Sequence, residues 1–301
     1  MALTNPQNIR VDAFQANVRD LAQQEKSKLL MTCDRDSQQA ETNRWDRLSS
    51  GDMSVKARNT ASSTNETGRQ WTSRQAVAVS YKDYELVETQ DINQMLVDPN
   101  SKLVQSMAMA AGRNYDDVLI AAATGNVNVI TRSSGVPTTT ATAFPAGQII
   151  SDYSLDISFD LVAQVQRLFM QNDIDPTVRK FAVVGPQQVY QLLNLTEQTS
   201  GDYVNREALQ TLNASGVVYN WMGFDWIMST RTTEPDTAQR DCIFYTERAL
   251  GLHTPQDVTS YVQRDPSHQY AWRPQCEMTT GACRVEDEQI VWLKAKDSTV
   301  A

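Results

Sequence analysis

Histidine is scarce in this 301-residue chain, which holds two, and cysteine is limited to four. His253 and His268 each stand alone beside Pro or Ser in loop-like surroundings, so neither offers a paired metal site or a proton relay. Cys33, Cys242, Cys276 and Cys283 have no Cys-x-x-Cys spacing and read as reduced thiols, which removes a zinc site and a disulfide framework. There is no GxGxxG, GxxxxGK or GxSxG, so dinucleotide-binding, phosphate-loop and serine-hydrolase chemistry lose their sequence support. No uninterrupted apolar run is long enough to span a bilayer. The nearest approach is broken by Lys102, Arg113, Asp116 and Asp117. The opening MALTNPQNIRVDAF lacks a basic flank followed by an apolar stretch, which predicts no signal peptide and a protein that stays in the cytosol that made it. The Asn-x-Ser/Thr triplets at Asn65, Asn194 and Asn213 therefore carry no glycosylation meaning.

Positive charge is also in deficit. The net charge of -9 argues against a protein that grips nucleic acid, because phosphate binding needs clustered Lys and Arg. The distribution says more than the sum. Residues 1–82 hold 12 Lys and Arg against 9 Asp and Glu, net +3, which leaves -12 on residues 83–301. The two parts are electrostatically complementary, although chance and a solvated surface produce the same asymmetry.

What the chain does have is one long stretch with an unbroken helical period, residues 98–125, DPNSKLVQSMAMAAGRNYDDVLIAAATG. Leu103, Val104, Met107, Ala111, Tyr115, Val118, Leu119 and Ala122 recur at steps of three and four and fall on one face. Asp98 suits the cap, Pro99 the first helical position and Gly125 the close. A helix of about 26 residues is roughly 39 Å long. That exceeds a small domain, so an extended layer must lie along it. Asp116 and Asp117 are neighbours in sequence, do not share a face and are expected in solvent.

Around this helix the chain divides by composition. Residues 1–43 contain a narrow amphipathic pattern, with Val11, Phe14, Val18 and Leu21, that needs a partner surface. Residues 49–70 have too few apolar groups to bury a core, yet strand-like alternation follows at 71–87, which together suggest a long protruding hairpin or loop returning to a sheet. A disordered linker is the other reading of that composition. Residues 44–82 carry 7 basic and 3 acidic side chains, so a surface that receives them should be acidic. Residues 126–150, rich in Thr, Ser, Gly and Pro, read as short extended pieces and a domain boundary. Residues 150–252 have the pattern of a compact α/β unit. Its parts are a Ser158-capped helix stopped by Asp175-Pro176, a buried strand at 181–185, a Pro186 helix, a short helix around 206–212, a hairpin about Gly223 and a strand at 242–245. From Val258 the chain returns to strands. The last ones, 281–285 and 289–295, are expected to pair with those at 71–87.

Acidic and aromatic clusters give no stronger chemistry. Glu286, Asp287 and Glu288 lie between two strand candidates and read as a turn, without further ligands at calcium-loop spacing. Trp221, Phe224 and Trp226 bracket Gly223 with no basic residue among them, which fits core or interface better than a nucleobase platform.

The order of these parts resembles the major capsid proteins of tailed bacteriophages, the Hong Kong 97-type fold. The likeness is carried by 98–125 as the spine helix and by RKFAVVGPQQVYQLLN as a strand and helix of the axial domain. GVVYNWMGFDWIMST and the closing GACRVEDEQIVWLKA complete it. The resemblance implies an α+β fold with an N-terminal arm at 1–43, an extended loop at 44–82, and a peripheral domain at 83–140 and 253–301 that includes the spine helix at 99–124. It places an axial α/β domain at 141–252. It implies no enzyme, no cofactor and no metal. The expected role is a virion subunit assembled in the host bacterial cytoplasm, forming hexamers and pentamers of an icosahedral shell around double-stranded DNA without sequence-specific binding. Portal, scaffolding and decoration or cement proteins are the implied partners, and no membrane is. Arg44, Arg47, Lys56, Arg58, Arg69, Trp71 and Arg74 are the expected subunit-interface residues. Crosslinking, known in some members, would need a Lys and an Asn; Lys56 is available and no partner is evident. No long cleavable scaffolding region is expected before residue 44. An encapsulin-like compartment subunit and a cytosolic α/β enzyme are the alternatives.

Overall fold

The computed structural model describes residues 23–49, 69–88, 99–133, 136–150, 153–194, 211–212 and 214–297. In chain order the first elements are β1 (Asp34–Asp36), β2 (Thr42–Leu48), β3 (Trp71–Val77), β4 (Val79–Tyr84) and the long helix α1 (Pro99–Thr124). Next come β5 (Val127–Ser133), β6 (Val136–Thr142), β7 (Ile149–Ile150), α2 (Phe159–Gln171), β8 (Lys180–Val184) and α3 (Pro186–Leu193). The chain ends with β9 (Val217–Trp221), β10 (Phe224–Met228), β11 (Gln239–Thr246), β12 (Leu250–Asp265), β13 (Ala271–Arg284) and β14 (Ile290–Lys296). They form a six-stranded central sheet in the order β7-β14-β11-β8-β10-β9, and two four-stranded sheets, β1-β12-β13-β4 and β2-β3-β5-β6. Among the described residues no helix is long and apolar enough to cross a membrane.

The central sheet is apolar on both faces, which explains why β8 is buried at all five positions rather than alternating. Side chains along a strand point to opposite faces by turns. Ala182, Val184, Cys242, Phe244, Val291 and Leu293 meet the core under α2 and α3, whereas Phe181, Val183, Ile243, Tyr245 and Ile290 meet the core under α1. The Ser158 hydroxyl accepts from the Leu161 N–H to start α2, which buries Leu161, Val162, Val165 and Phe169. This helix ends at Gln171 with Asn172 as its cap, before the Asp175-Pro176 pair expected to stop it. β9 and β10 form the antiparallel pair expected about Gly223.

Helix α1 has the extent expected from its period, and it lies between two sheets. Met107, Ala111, Tyr115, Leu119, Ile120 and Ala123 are its buried apolar residues, packed with Leu252, Cys276 and Met278 of the β12–β13 hairpin and with the central sheet. Asp98, its expected cap, lies outside the described residues. Asp116, expected in solvent, is 0% exposed. Its carboxylate accepts from Gln24 Nε2 and Ser27 Oγ, both at 2.6 Å, and from the Lys28 and Leu29 N–H groups at 3.1 Å. A buried carboxylate is stable here because hydrogen-bond donors surround it.

That contact changes the reading of the N-terminal arm. Residues 23–36 contain no helix and lie on their own subunit. Leu29 is buried in the α1 core, and the Thr32 and Tyr245 hydroxyls are 2.6 Å apart. Residues 1–22, with the expected amphipathic pattern, lie outside the described residues.

The late strands divide between two sheets. β13 pairs antiparallel with β4, as expected for strands near 71–87. β14 does not join it; it pairs with β11 and β7 in the central sheet. The turn at 286–289 moves the chain from one sheet to the other, a switch that strand periodicity cannot signal. β12 also starts before the expected Val258, at Leu250, and this brings His253 out of its expected loop into a fully buried strand position. Its Nε2 lies 2.8 Å from the Ala40 carbonyl oxygen.

Candidate assembly site: the loop sheet and its root

Strands β2 and β3 are the two arms of the expected protruding hairpin, paired in register from Thr42 with Val77 to Leu48 with Trp71. The sequence between them, 50–68, contains Lys56 and Arg58, and both lie outside the described residues. The hairpin is not alone: β5 pairs with β3, and β6 pairs with β5. The stretch expected to be short extended pieces at a boundary therefore completes a four-stranded loop sheet.

This sheet crosses the β12–β13 hairpin where two glycines leave room for it. A Cβ at Gly251 would stand 2.6 Å from the Trp45 ring, and one at Gly281 would stand 2.1 Å from the Val77 carbonyl oxygen. Neither distance is tolerated by a side chain, so glycine sets how closely the layers approach.

At the root of the loop sheet the acidic turn finds its cations within the chain. Asp287 accepts from Arg284 Nε and Arg74 Nη2, each at 2.5 Å, and Arg47 Nη2 lies 3.2 Å from Glu288 Oε2. Arg284 is fully buried; it also donates to the Gly125 carbonyl at 2.7 Å and to the Ala143 carbonyl at 3.3 Å, and its guanidinium lies over the Phe144 ring. One arginine and one aspartate thereby join the end of α1, the end of β6, the β13–β14 turn and, through Arg74, the loop sheet. The expected interface residue Arg74 is buried, and its charge is met within the subunit. Asp287 and Arg284 were missed as a site, although the sequence carries a signal: a guanidinium in the apolar stretch 281–285 must find an anion close by.

The remaining expected residues sit differently. Arg44 and Arg69 are exposed and form no ion pair with described residues, and Trp71 is 68% exposed with Leu48 opposite it in register. Arg69, Trp71, Ser73, Ile130 and Arg132 line a concavity of about 750 Å³ on the loop sheet. An exposed Trp, two arginines and Asp46 give this concave face both apolar area and charge. Among the described residues no group of three or more His, Cys, Asp and Glu is gathered for a metal ion. The four cysteines are free thiols, and burial pushes those of Cys33, Cys242 and Cys283 up to about 12. They are poor nucleophiles at neutral pH.

A family model described as phage capsid protein matches residues 6–296. The chain belongs to the phage capsid protein family. This capsid protein is similar in fold to the chain in the capsid structure of cyanophage P-SCSP1u, with a TM-score of 0.72 at 13% identity over 99% of this chain and 96% of that one. The capsid chain of cyanophage Pam1 gives 0.71 at 11% identity, covering 97% and 98%, and that of Ralstonia phage GP4 gives 0.70 at 8% identity, covering 97% of each. No curated protein matches in sequence. The α+β capsid fold implied by the order of parts in the sequence is the fold of this capsid protein.

Proposed function

We propose that the chain is the major capsid protein of a tailed phage, assembling as hexamers and pentamers into an icosahedral shell that encloses double-stranded DNA. The observation that carries this reading is the agreement of nearly the whole chain with capsid subunits in both sequence family and fold. The loop sheet supports it: Arg44, Arg69 and Trp71 project from a body that carries the acidic excess. On this reading the loop at 44–82 reaches a neighbouring subunit, with these three residues in contact and Lys56 and Arg58 on the same loop. The subunit does no chemistry of its own. Its net charge of -9 suits a wall that holds DNA without gripping it. Portal and scaffolding proteins act with it in the bacterial cytoplasm, and the finished shell is part of the virion. Negative-stain microscopy of the purified chain tests the proposal. Closed shells of uniform size are expected, whereas a compact monomer or dimer under all assembly conditions would overturn it.

A further inference from the structure

Among the described residues the loop sheet has two unpaired edges, and they are built differently. The β2 edge, TNRWDRL, carries Arg44, Asp46 and Arg47. Charged side chains of this kind are a common protection against unwanted strand pairing. The β6 edge, VPTTTAT, carries no charge, and its first six residues are exposed. Its register with β5 runs without a bulge from Val127 with Thr142 to Ser133 with Val136. Only Pro137 guards it, near the turn end. A regular, uncharged, β-branched edge is a template for another strand.

The register also says which backbone groups are free. β5 and β6 are joined by two residues, so the flanking pair Ser133 and Val136 is hydrogen-bonded, and antiparallel pairs alternate from there. Val136, Thr138, Thr140 and Thr142 therefore direct their N–H and C=O groups to β5. Thr139 and Ala141 direct theirs outward, and Pro137 offers only its carbonyl.

We propose that the outward edge of β6, at Thr139 and Ala141, pairs with an extended segment of a second copy of this chain. The inference rests on the capsid reading, in which copies surround every subunit. Charge selects a copy over an unrelated partner. Beside this edge β5 exposes Arg132, and the loop sheet as a whole exposes Arg44, Arg69 and Arg132 against Asp46, while residues 83–301 carry net -12, so a second copy supplies the opposite sign.

Hydrogen exchange on shells assembled from the purified chain alone tests this. In free subunits the Thr139 and Ala141 amides exchange fast and those of Thr138, Thr140 and Thr142 slowly; in shells all five are slow. A second measurement uses Thr139→Pro, which removes an outward N–H and leaves the β5 ladder intact. Free subunits should keep slow exchange at Val129 and Thr131, and shell yield should be lost. Thr139 and Ala141 amides that exchange equally fast in both states would overturn the pairing, as would normal shell yield from Thr139→Pro. Slow exchange that appears only after a different protein is added would overturn the choice of partner. A wild-type chain that forms no shells at all would instead overturn the capsid reading on which the inference stands.

Discussion

Arg284 and Asp287 show how much one position can decide. The guanidinium is fully buried, and its charge is tolerated because Asp287 and two carbonyl groups surround it. Replacing one member of a buried pair leaves the other without a counter-charge, at a cost of about 3–5 kcal/mol. Asp287→Asn is therefore expected to destabilise the subunit by about 3–5 kcal/mol, because Arg284 keeps its carbonyl partners while the buried Arg74 loses its counter-charge. Urea unfolding measures it, and a loss smaller than that of an ordinary surface change would show that the root does not depend on this charge. Asp241 gives a different expectation. Burial raises its carboxyl above the usual range, against the hydrogen bond from the Tyr153 hydroxyl at 2.7 Å. A raised value means the folded state holds the proton more tightly than the unfolded state, so this residue's contribution to stability falls as pH rises from the ordinary carboxylate value through the folded one. Relative to Asp241→Asn, the wild type should lose stability across that weakly acidic interval and run parallel above it. Unfolding midpoints at a series of pH values check the sign; a constant difference would contradict it.

At the scale of elements, α1 connects the layers, and its two faces have opposite tolerances. Ala111 is buried against the sheet, one helical turn from Met107 and Tyr115, while Gln105 is exposed. Ala111→Asp buries a carboxylate beside Met107, Cys276 and Met278, costing several kcal/mol unless it protonates, admits water or reaches Lys82 across the adjoining cavity. Gln105→Asp should change stability by less than about 0.5 kcal/mol. The yield of soluble subunit separates the two, and equal behaviour would mean that this face of the helix does not carry the packing. The helix also shows why facing is more legible than fine detail. Its period located the apolar stripe, but Asp116 lies beside that stripe and is buried, because the chain at 24–29 folds over it with donors of its own.

For the whole molecule, the separation of charge is the feature most open to test. Asp287 and Glu288 already meet Arg74 and Arg47 within the subunit, so the exposed Arg44 and Arg69 are the described loop arginines left for a neighbour. Arg44→Glu with Arg69→Glu should leave the unfolding midpoint of the free subunit unchanged and reduce shell yield. A surface pair contributes only about 0–1 kcal/mol, but a shell repeats it at every subunit. Light scattering during assembly reads the effect, which should shrink as salt rises because exposed charges are screened. Normal assembly by the double variant would remove electrostatics from the account of the loop.

The sequence alone determined the elements whose cause is local. Helical period and Pro99 placed α1, the Ser158 cap and apolar spacing placed α2, and a continuous apolar run marked β8 as a central strand. Their order along the chain was enough to indicate the capsid fold. Which strands would meet was decided only in three dimensions. β14 opens on the apolar run Ile290–Leu293, and its period is equally compatible with the sheet containing β13 and with the sheet containing β11; the turn at 286–289 carries it to the second. The same holds for the site. Arg44 and Arg74 are both basic residues on paired strands of one hairpin, and composition treats them alike. Folding exposes Arg44 and buries Arg74 on Asp287, because burial of a charge depends on a partner 213 residues away that no local pattern specifies.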